Sequence, residues 1–209
     1  MPNVMRGLAA VLPALLAACA GSPAVPPILS LDGRPCVARP DLAGAQALAL
    51  DAGKPIKLDL DAGAACLEPR GGGRSAYVAF RLPRSEQPYL LTVTSAPLGD
   101  TLFSPRLMLL DERGKVLREV PRDDFMFHGV ALYAGLRAAP AERYLIVASD
   151  APTVGQHVSH IVGESRAFPV PVGIGAVAII NSGSEKQQVI TYAHNGRVTV
   201  AAQPIPKAN

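Results

Sequence analysis

Tryptophan is absent from this sequence of 209 residues, and aromatic residues make up only 5% of it. Sugar-binding surfaces rely on exposed aromatic faces that stack on pyranose rings, so the sequence offers few residues for such a surface. A large excess of charge of one sign is also absent, because 20 basic side chains face 17 acidic ones, for a formal net charge of +3. A charge this small and dispersed excludes nucleic acid as a partner.

Motifs that specify a reaction are lacking as well. The run from Gly163 to Ala167 only imitates the nucleophile elbow of hydrolases, because it has no second glycine and no α/β context. His157 and His160 are spaced i, i+3, but two histidines need a third ligand to hold zinc, and the sequence indicates none. A cluster of four acidic residues does not have the spacing of a calcium-binding loop. Its members are Asp111, Glu112, Asp123 and Asp124. We therefore assign no catalytic residue, no metal and no cofactor, and we expect a protein that is not an enzyme.

The N-terminal apolar run, residues 7–18, is too short to cross a membrane as a helix. It follows Arg6 and ends Leu16-Ala17-Ala18-Cys19, which resembles the lipobox of bacterial lipoproteins. We predict a lipoprotein signal peptide over residues 1–18 and a lipid on Cys19, which anchors the protein to the membrane. The alternative is an ordinary secretory signal, cut after the Ala18-x-Ala20 pair. Because no Asp follows Cys19, resemblance to sorted lipoproteins predicts a periplasmic protein anchored to the outer membrane.

Cysteine is scarce, with three residues in the chain. If Cys19 carries lipid, Cys36 and Cys66 remain, and an even pair in an exported protein predicts a disulfide. Such a bond would close a loop of roughly 30 residues. The alternative is two free thiols, because the sequence does not give their geometry.

Proline and glycine, by contrast, are abundant, at 20 and 19 residues. Proline and glycine interrupt helices and mark turns, so their high frequency favours many short strands over long helices. Short aliphatic and aromatic runs bounded by Pro, Gly, Asp or Ser are typical of antiparallel strands. We predict an all-β protein, an antiparallel β-sandwich (jelly-roll-like) with at most short helices. The predicted sequence of parts is a signal peptide over 1–18, a flexible tether over 19–35, the sandwich domain over 36–203 and a tail over 204–209.

Three local patterns predict connections between strands. Residues 41–50 fit either a weak helix capped by Asp41 or, from residue 47, one strand of a hairpin with residues 56–60. The turn from Asp111 to Gly114 predicts a hairpin between residues 107–110 and 115–120. Asn195-Gly196 between alternating runs predicts a second hairpin near the C-terminus. Between these patterns, Phe125 and Phe127 are expected to pack over an open end of the sandwich.

The core of the sequence resembles the MalM family, the periplasmic protein of the maltose operon. The matching residues run from Gly73 through Phe80-Arg-Leu-Pro83 and from Tyr89 to Ser95. They continue with Phe103-Ser-Pro-Arg-Leu-Met-Leu-Leu-Asp111 and Arg143-Tyr-Leu-Ile-Val147, and they keep the family's order and spacing. The resemblance implies a β-sandwich in the periplasm, linked genetically to maltodextrin uptake, with no established enzymatic activity.

Three functions follow as hypotheses. The first is a non-catalytic lipoprotein that assists carbohydrate uptake by contacting an outer-membrane porin or a sugar-transport component. The second is a small carbohydrate-binding module for maltodextrin, with Tyr77, Tyr89 and Tyr133 as surface candidates for contact with the sugar. The third is an accessory sandwich resembling bacterial pre-peptidase C-terminal domains.

Overall fold

The computed structural model describes residues 28–173 and 176–205, and nearly all regular structure in this range is β. Two single 3-10 turns, Arg122–Asp124 and Ala151–Thr153, are its helical elements. The prediction of an all-β chain with at most short helices is therefore confirmed. The strands are β1 Gln46–Ala47, β2 Ile56–Leu60, β3 Ala65–Leu67, β4 Ser75–Arg81, β5 Tyr89–Ala96, β6 Thr101–Phe103, β7 Pro105–Leu110, β8 Val116–Val120, β9 Met126–His128, β10 Ala131–Ala138, β11 Tyr144–Ser149, β12 His157–Gly173, β13 Ala176–Ala193 and β14 Gly196–Pro204.

Two sheets pack face to face around one core. The first has the order β1-β4-β11-β7-β8, with β3 along the same edge of β4 as β1, and the second has the order β2-β14-β5-β10-β9. Fully buried side chains from both sheets form a single cluster, including Phe80 and Leu107 from the first and Leu91 and Val198 from the second. The predicted β-sandwich is confirmed.

The first sheet is buried on its second face as well. Met108 and Ile146 lie in a separate apolar cluster on that face, which Leu42 and Ala45 of the N-terminal segment cover. This explains why residues 107–110 are continuously apolar, since a strand covered on both faces has no water-facing position.

The two hydrophobic runs before residue 61 do not form the predicted hairpin. β1 pairs in parallel with β4, whereas β2 pairs antiparallel with β14. The alternative helix is also wrong, because the Asp41 carboxylate caps only a turn by accepting the Ala43 N–H at 2.9 Å. Both strands find partners far along the chain, where they extend existing sheets instead of pairing with each other.

Of the two predicted hairpin turns, one is right and one is wrong. β7 and β8 pair across the turn at Asp111, whose carboxylate accepts the N–H groups of Arg113 and Lys115, both at 2.9 Å. At Asn195-Gly196, however, β13 joins β6 while β14 joins β2 and β5. Gly196 serves a close approach instead, since a Cβ there would lie 2.7 Å from the backbone nitrogen of Phe103.

The connection between β8 and β10 packs on the core as predicted. Phe125 is 4% exposed, and Phe127 packs against the same cluster. The Arg122 guanidinium lies over the Phe127 ring, 5.7 Å from its centroid, and donates a hydrogen bond to the Tyr192 hydroxyl. Aromatic rings and one arginine therefore close this end of the sandwich.

The strands β12 and β13 form a long two-stranded ribbon. They pair from His157 with Thr191 to Gly173 with Ala176. At its base β13 also pairs with β6, through Thr191–Ala193. Residues 176–180 and 189–193 are thus parts of one continuous strand, β13.

Residues 28–35, which we assigned to the tether, lie against the sandwich. Leu31 is 3% exposed and belongs to the core cluster, and Leu29 packs against it. The folded part of the chain therefore begins before residue 36.

Candidate functional site

The N-terminal segment, residues 28–31, is bound to the domain by residues from distant parts of the chain. We call this binding site, formed by Arg74, Asn195 and the core around Leu31, the seat. The Leu29 N–H donates to Asn195 Oδ1 at 2.8 Å, and Arg74 Nη1 donates to the Leu31 carbonyl at 3.2 Å. Burial of the Leu31 side chain completes this attachment. The seat fixes the position of residues 29–31 on the domain. Cys19 itself and the predicted signal peptide lie outside the described residues.

A disulfide bond joins Cys36 to Cys66, as predicted, with their Cα atoms 4.5 Å apart. Two backbone hydrogen bonds flank it: Val37 N–H donates to the Cys66 carbonyl, and Glu68 N–H donates to the Val37 carbonyl, both at 2.9 Å. The bond therefore attaches the segment that follows the seat to β3, next to β4.

Beside the seat, His194 is hydrogen-bonded to a buried serine. Ser149 Oγ lies 2.7 Å from His194 Nδ1 and accepts the Ala76 N–H at 3.0 Å. Burial of the imidazole lowers the pKa of His194 below its ordinary value, and the negative charge of Asp32 partly opposes this shift. A serine, a histidine and an aspartate thus lie close together, as in a hydrolase triad. Ser149 is fully buried, however, so its hydroxyl cannot reach a substrate, and the group links β11 to β4 and β13 instead.

The tyrosines predicted as surface contacts for sugar are mostly inside the protein. Tyr77 is 5% exposed and Tyr89 is 2% exposed, so the prediction that they offer open ring faces is wrong. Tyr77 lies under the N-terminal segment, where its hydroxyl oxygen accepts the Asp41 N–H at 2.9 Å. Burial raises the pKa of Tyr89 to about 12. Tyr133 is half-buried, and its role as a sugar contact stays a prediction.

An acidic groove runs along the side of the sandwich where β2 and β4 lie. Its volume is about 440 Å³, and its polar lining includes Asp41, Gln46, Asp59 and Asp61. Asp59 is paired with Arg197 through two hydrogen bonds of 2.7 and 2.8 Å, which lowers the pKa of its carboxyl group. Carboxylate and amide groups of this kind can accept and donate hydrogen bonds to sugar hydroxyls. The ring of Tyr77 contributes no stacking face here because it is buried.

The sequence assigns no metal ligand, and the two groups of residues that it rules out are the histidines at 157 and 160 and the acidic residues near Asp111. No group of three or more His, Cys, Asp or Glu side chains in the described part of the chain could hold a metal ion. His157 Nδ1 is 2.9 Å from Thr191 Oγ1 across the base of the ribbon, and the side chain of His160 lies outside what the structure describes. In the acidic group, Glu112 is paired with Arg84 at 3.2 Å.

A helix long and apolar enough to cross a membrane is not found among residues 28–173 and 176–205.

Sequence reasoning missed the residues of the seat. Asn195 was assigned to a turn, and neither Arg74 nor His194 was singled out. No local pattern could have revealed them, because Asn195 contacts a residue 166 positions away in the sequence. Only the three-dimensional structure brings Arg74, His194 and Asn195 to the N-terminal segment.

Comparison with known proteins finds the family but no individual relative. No curated protein and no solved structure matches the chain. Residues 72–201 match the family model described as maltose operon periplasmic protein precursor (MalM). This match covers the sandwich from β4 through most of β14, including the region on which the resemblance was drawn. The chain therefore belongs to the MalM family of periplasmic proteins.

Proposed function

We propose that this protein is a lipid-anchored, non-catalytic accessory of carbohydrate uptake that contacts an outer-membrane porin or another transport component. Membership of the MalM family carries the proposal, since the family is described by the maltose operon and the periplasm. The lipobox-like sequence ending at Cys19 supports the lipid anchor.

The seat of the N-terminal segment supports a position close to the membrane. From Cys19 to Ile28 the chain can span at most about 30 Å when fully extended. Because the seat holds residues 29–31 on the domain, a lipid on Cys19 would keep the sandwich within that distance of the bilayer. The part of a porin or transporter that faces the periplasm lies within the same reach.

The edge strands β8 and β9 offer the contact surface that we favour. In the described part of the chain, β8 pairs only with β7, and β9 pairs only with β10. Apolar side chains are exposed along them, with Val116 at 41%, Leu117 at 45% and Met126 at 70%. Exposed apolar residues on open strand edges are typical of surfaces that bind another protein.

Chemical cross-linking in the host bacterium, followed by purification of the tagged protein, tests this proposal. We expect a porin or sugar-transport component to co-purify with the wild type, and Leu117→Asp with Met126→Asp to abolish that enrichment while the melting temperature is unchanged. The matched control is Ile205→Asp, at an apolar residue of similar exposure, 37%, outside the two edges. Absence of every uptake component from the wild-type complex would contradict the proposal.

A second candidate function, binding of maltodextrin, is supported by the acidic groove. A ligand that binds only the native state raises the melting temperature by mass action. We expect maltooligosaccharides to stabilise the wild type, and Gln46→Ala with Asp61→Ala to remove that effect. An unchanged melting temperature at millimolar oligosaccharide would eliminate this candidate and leave the accessory role in place.

A further inference from the structure

The ribbon of β12 and β13 extends well beyond the sheet that supports it. Only Thr191–Ala193 of β13 pair with β6, so over the rest of their described length the two strands pair with each other. At about 3.3 Å per residue, the 17 residues of β12 make a ribbon roughly 55 Å long. An isolated two-stranded ribbon is only marginally stable in water, so this one requires a partner surface.

The sequence at the free end of the ribbon contains no polar side chain. We call residues 168–173 and 176–180 the apolar tip. They read Phe-Pro-Val-Pro-Val-Gly on β12 and Ala-Val-Ala-Ile-Ile on β13, and the register pairs these runs with each other, from Phe168 with Ile180 to Gly173 with Ala176. Strands with one face in water alternate apolar and polar residues, as β5 does, whereas the tip does not alternate.

Polar residues follow the tip on both strands at the same level. We call residues 163–166 and 181–186 the polar belt, which includes Arg166, paired in register with Ser182, and Lys186, paired with Val162. The belt also contains Glu164 and Glu185, so its two basic and two acidic residues balance. An apolar segment bordered by polar and charged residues matches the depth profile of a bilayer, with hydrocarbon inside and headgroups outside. At six residues the tip is about 20 Å long, enough to enter one leaflet of a hydrocarbon core about 30 Å thick but too short to cross it.

The backbone favours shallow insertion into lipid over pairing with another strand. Pro169 and Pro171 have no N–H to donate, which hinders addition of a strand along β12 and leaves fewer donors without a partner in an apolar medium. The remaining edge groups need water or headgroups, so the tip cannot lie deep in hydrocarbon.

The base of the ribbon also lies beside the seat of the N-terminal segment. The Gly155 N–H donates to the Tyr192 carbonyl at 2.8 Å, and the neighbouring Val154 lines a cavity with Leu29 and Leu31. The predicted lipid anchor and the ribbon therefore leave from the same part of the domain. From these observations we propose that the apolar tip inserts into the periplasm-facing leaflet of the bilayer, as a second membrane contact that does not require the lipid on Cys19.

Vesicle flotation tests this proposal on the mature chain with Cys19→Ser, exported behind a cleavable secretory signal so that no lipid is attached. The vesicles contain phosphatidylethanolamine and phosphatidylglycerol. We expect the chain to float with the vesicles, and Val170→Asp with Ile179→Asp to reduce the floated fraction at least tenfold. The matched control is Val189→Asp, a change at a 50% exposed residue on the same strand near the base, which is expected to float like the parent.

The absence of tryptophan gives an independent readout. A Phe168→Trp variant is expected to shift its emission to the blue on binding and to be quenched by brominated lipid, whereas Met126→Trp on β9 is not. A parent chain that stays at the bottom of the gradient would overturn the proposal, as would tip variants that float equally well. The proposal is also overturned if the parent is a dimer and the tip variants are monomers, because a second copy would then cover the tip. Each result is independent of the lipid anchor and of any transport partner, so it can fail without affecting the proposed function.

Discussion

Ser149 Oγ and His194 Nδ1 are 2.7 Å apart in a partly buried contact beside the N-terminal segment. The serine oxygen also accepts the Ala76 N–H, and the tautomer of the neutral imidazole decides whether the serine hydroxyl donates to Nδ1 or accepts from it. Burial disfavours the charged imidazole, so the contact depends on pH.

The first prediction concerns that dependence. The pKa of His194 is lower in the folded state than its unfolded value of 6.5, so the unfolded chain binds more protons as pH falls through 6.5. The associated stability is fully present above pH 6.5 and is lost below it. We expect the wild type to lose several degrees of melting temperature between pH 8 and pH 5. His194→Asn, whose amide oxygen can still accept from Ser149, should lose less. Equal slopes in the wild type and in His194→Asn would contradict the prediction.

Removal of the disulfide is expected to lower stability without changing the fold. Cys36 and Cys66 are 30 positions apart, and in the chain-entropy model a loop of that size contributes about 3–4 kcal/mol to the free energy of unfolding. We expect Cys36→Ala with Cys66→Ala to lower the denaturation midpoint and to keep the β-type circular dichroism spectrum. Reductant should produce the same decrease in the wild type and no change in the double variant. A wild type that is unaffected by reductant would contradict the prediction.

Gly196 is expected to tolerate no side chain. Its φ is +149°, and a Cβ would lie 2.7 Å from the backbone nitrogen of Phe103, which cannot move without disturbing β6. We expect Gly196→Ala to cost at least about 2 kcal/mol in a urea titration, since both strain and overlap with the backbone contribute. Gly129→Ala is the matched control, because Gly129 has a φ of +62° and no atom within 4 Å of its Cβ position. It should lose only about 1 kcal/mol, from strain alone. Equal losses would show that the contact with Phe103 is unimportant.

Tyr89 is expected to ionise well above the ordinary pKa of a tyrosine. Burial raises its pKa to about 12, so the folded state retains a proton that the unfolded chain releases near pH 10. The stability linked to this proton is present below pH 10 and is lost between pH 10 and 12. A spectrophotometric titration should show one delayed tyrosine, and Tyr89→Phe should remove that delayed step. Persistence of the step in the variant would assign it to another tyrosine.

Cys19→Ser tests the lipid anchor directly. Only the thiol can carry the diacylglycerol, so the wild type should fractionate stably with membranes, and the variant should be largely released into the periplasm or remain unprocessed. Several acyl chains anchor a protein stably, whereas a single chain binds only marginally. If both proteins are equally soluble, the ordinary secretory signal is the better interpretation. A weak residual association of the variant would instead be that expected from the apolar tip.

The sequence was most informative where local chemistry alone determines structure. The alternation in β5, the buried run 107–110 of β7, the turn at Asp111 and the disulfide each follow from neighbouring residues or from the compartment, and each is present. Exposure of Tyr77 could not be predicted, because its alternation gives only its face of the sheet and not what covers that face. Leu42 and Ala45, which lie more than 30 positions before Tyr77 in the sequence, cover that face.

The failed hairpins have a similar cause. Asn195-Gly196 satisfies the local rules for a tight turn, but β14 gains more contacts by inserting between β2 and β5 than by pairing with β13. A glycine needed for close approach and a glycine needed for a turn are identical in sequence. The seat of the N-terminal segment could not be predicted from local patterns either, because Leu29 and Asn195 are 166 positions apart in the sequence.

The position of β14 between β2 and β5 has a consequence for export. Lys57 in β2 pairs with Thr199 in β14. The second sheet therefore cannot be completed until β14, one of the last strands, has been translocated. Closure of so long a loop is slow, and folding rates fall as such distant pairings dominate. If Cys19 is lipidated as we propose, it would therefore meet the lipid-transfer enzymes while the chain is still unfolded. A chain truncated before residue 196 would reach the periplasm without the strand that joins β2 to the rest of its sheet.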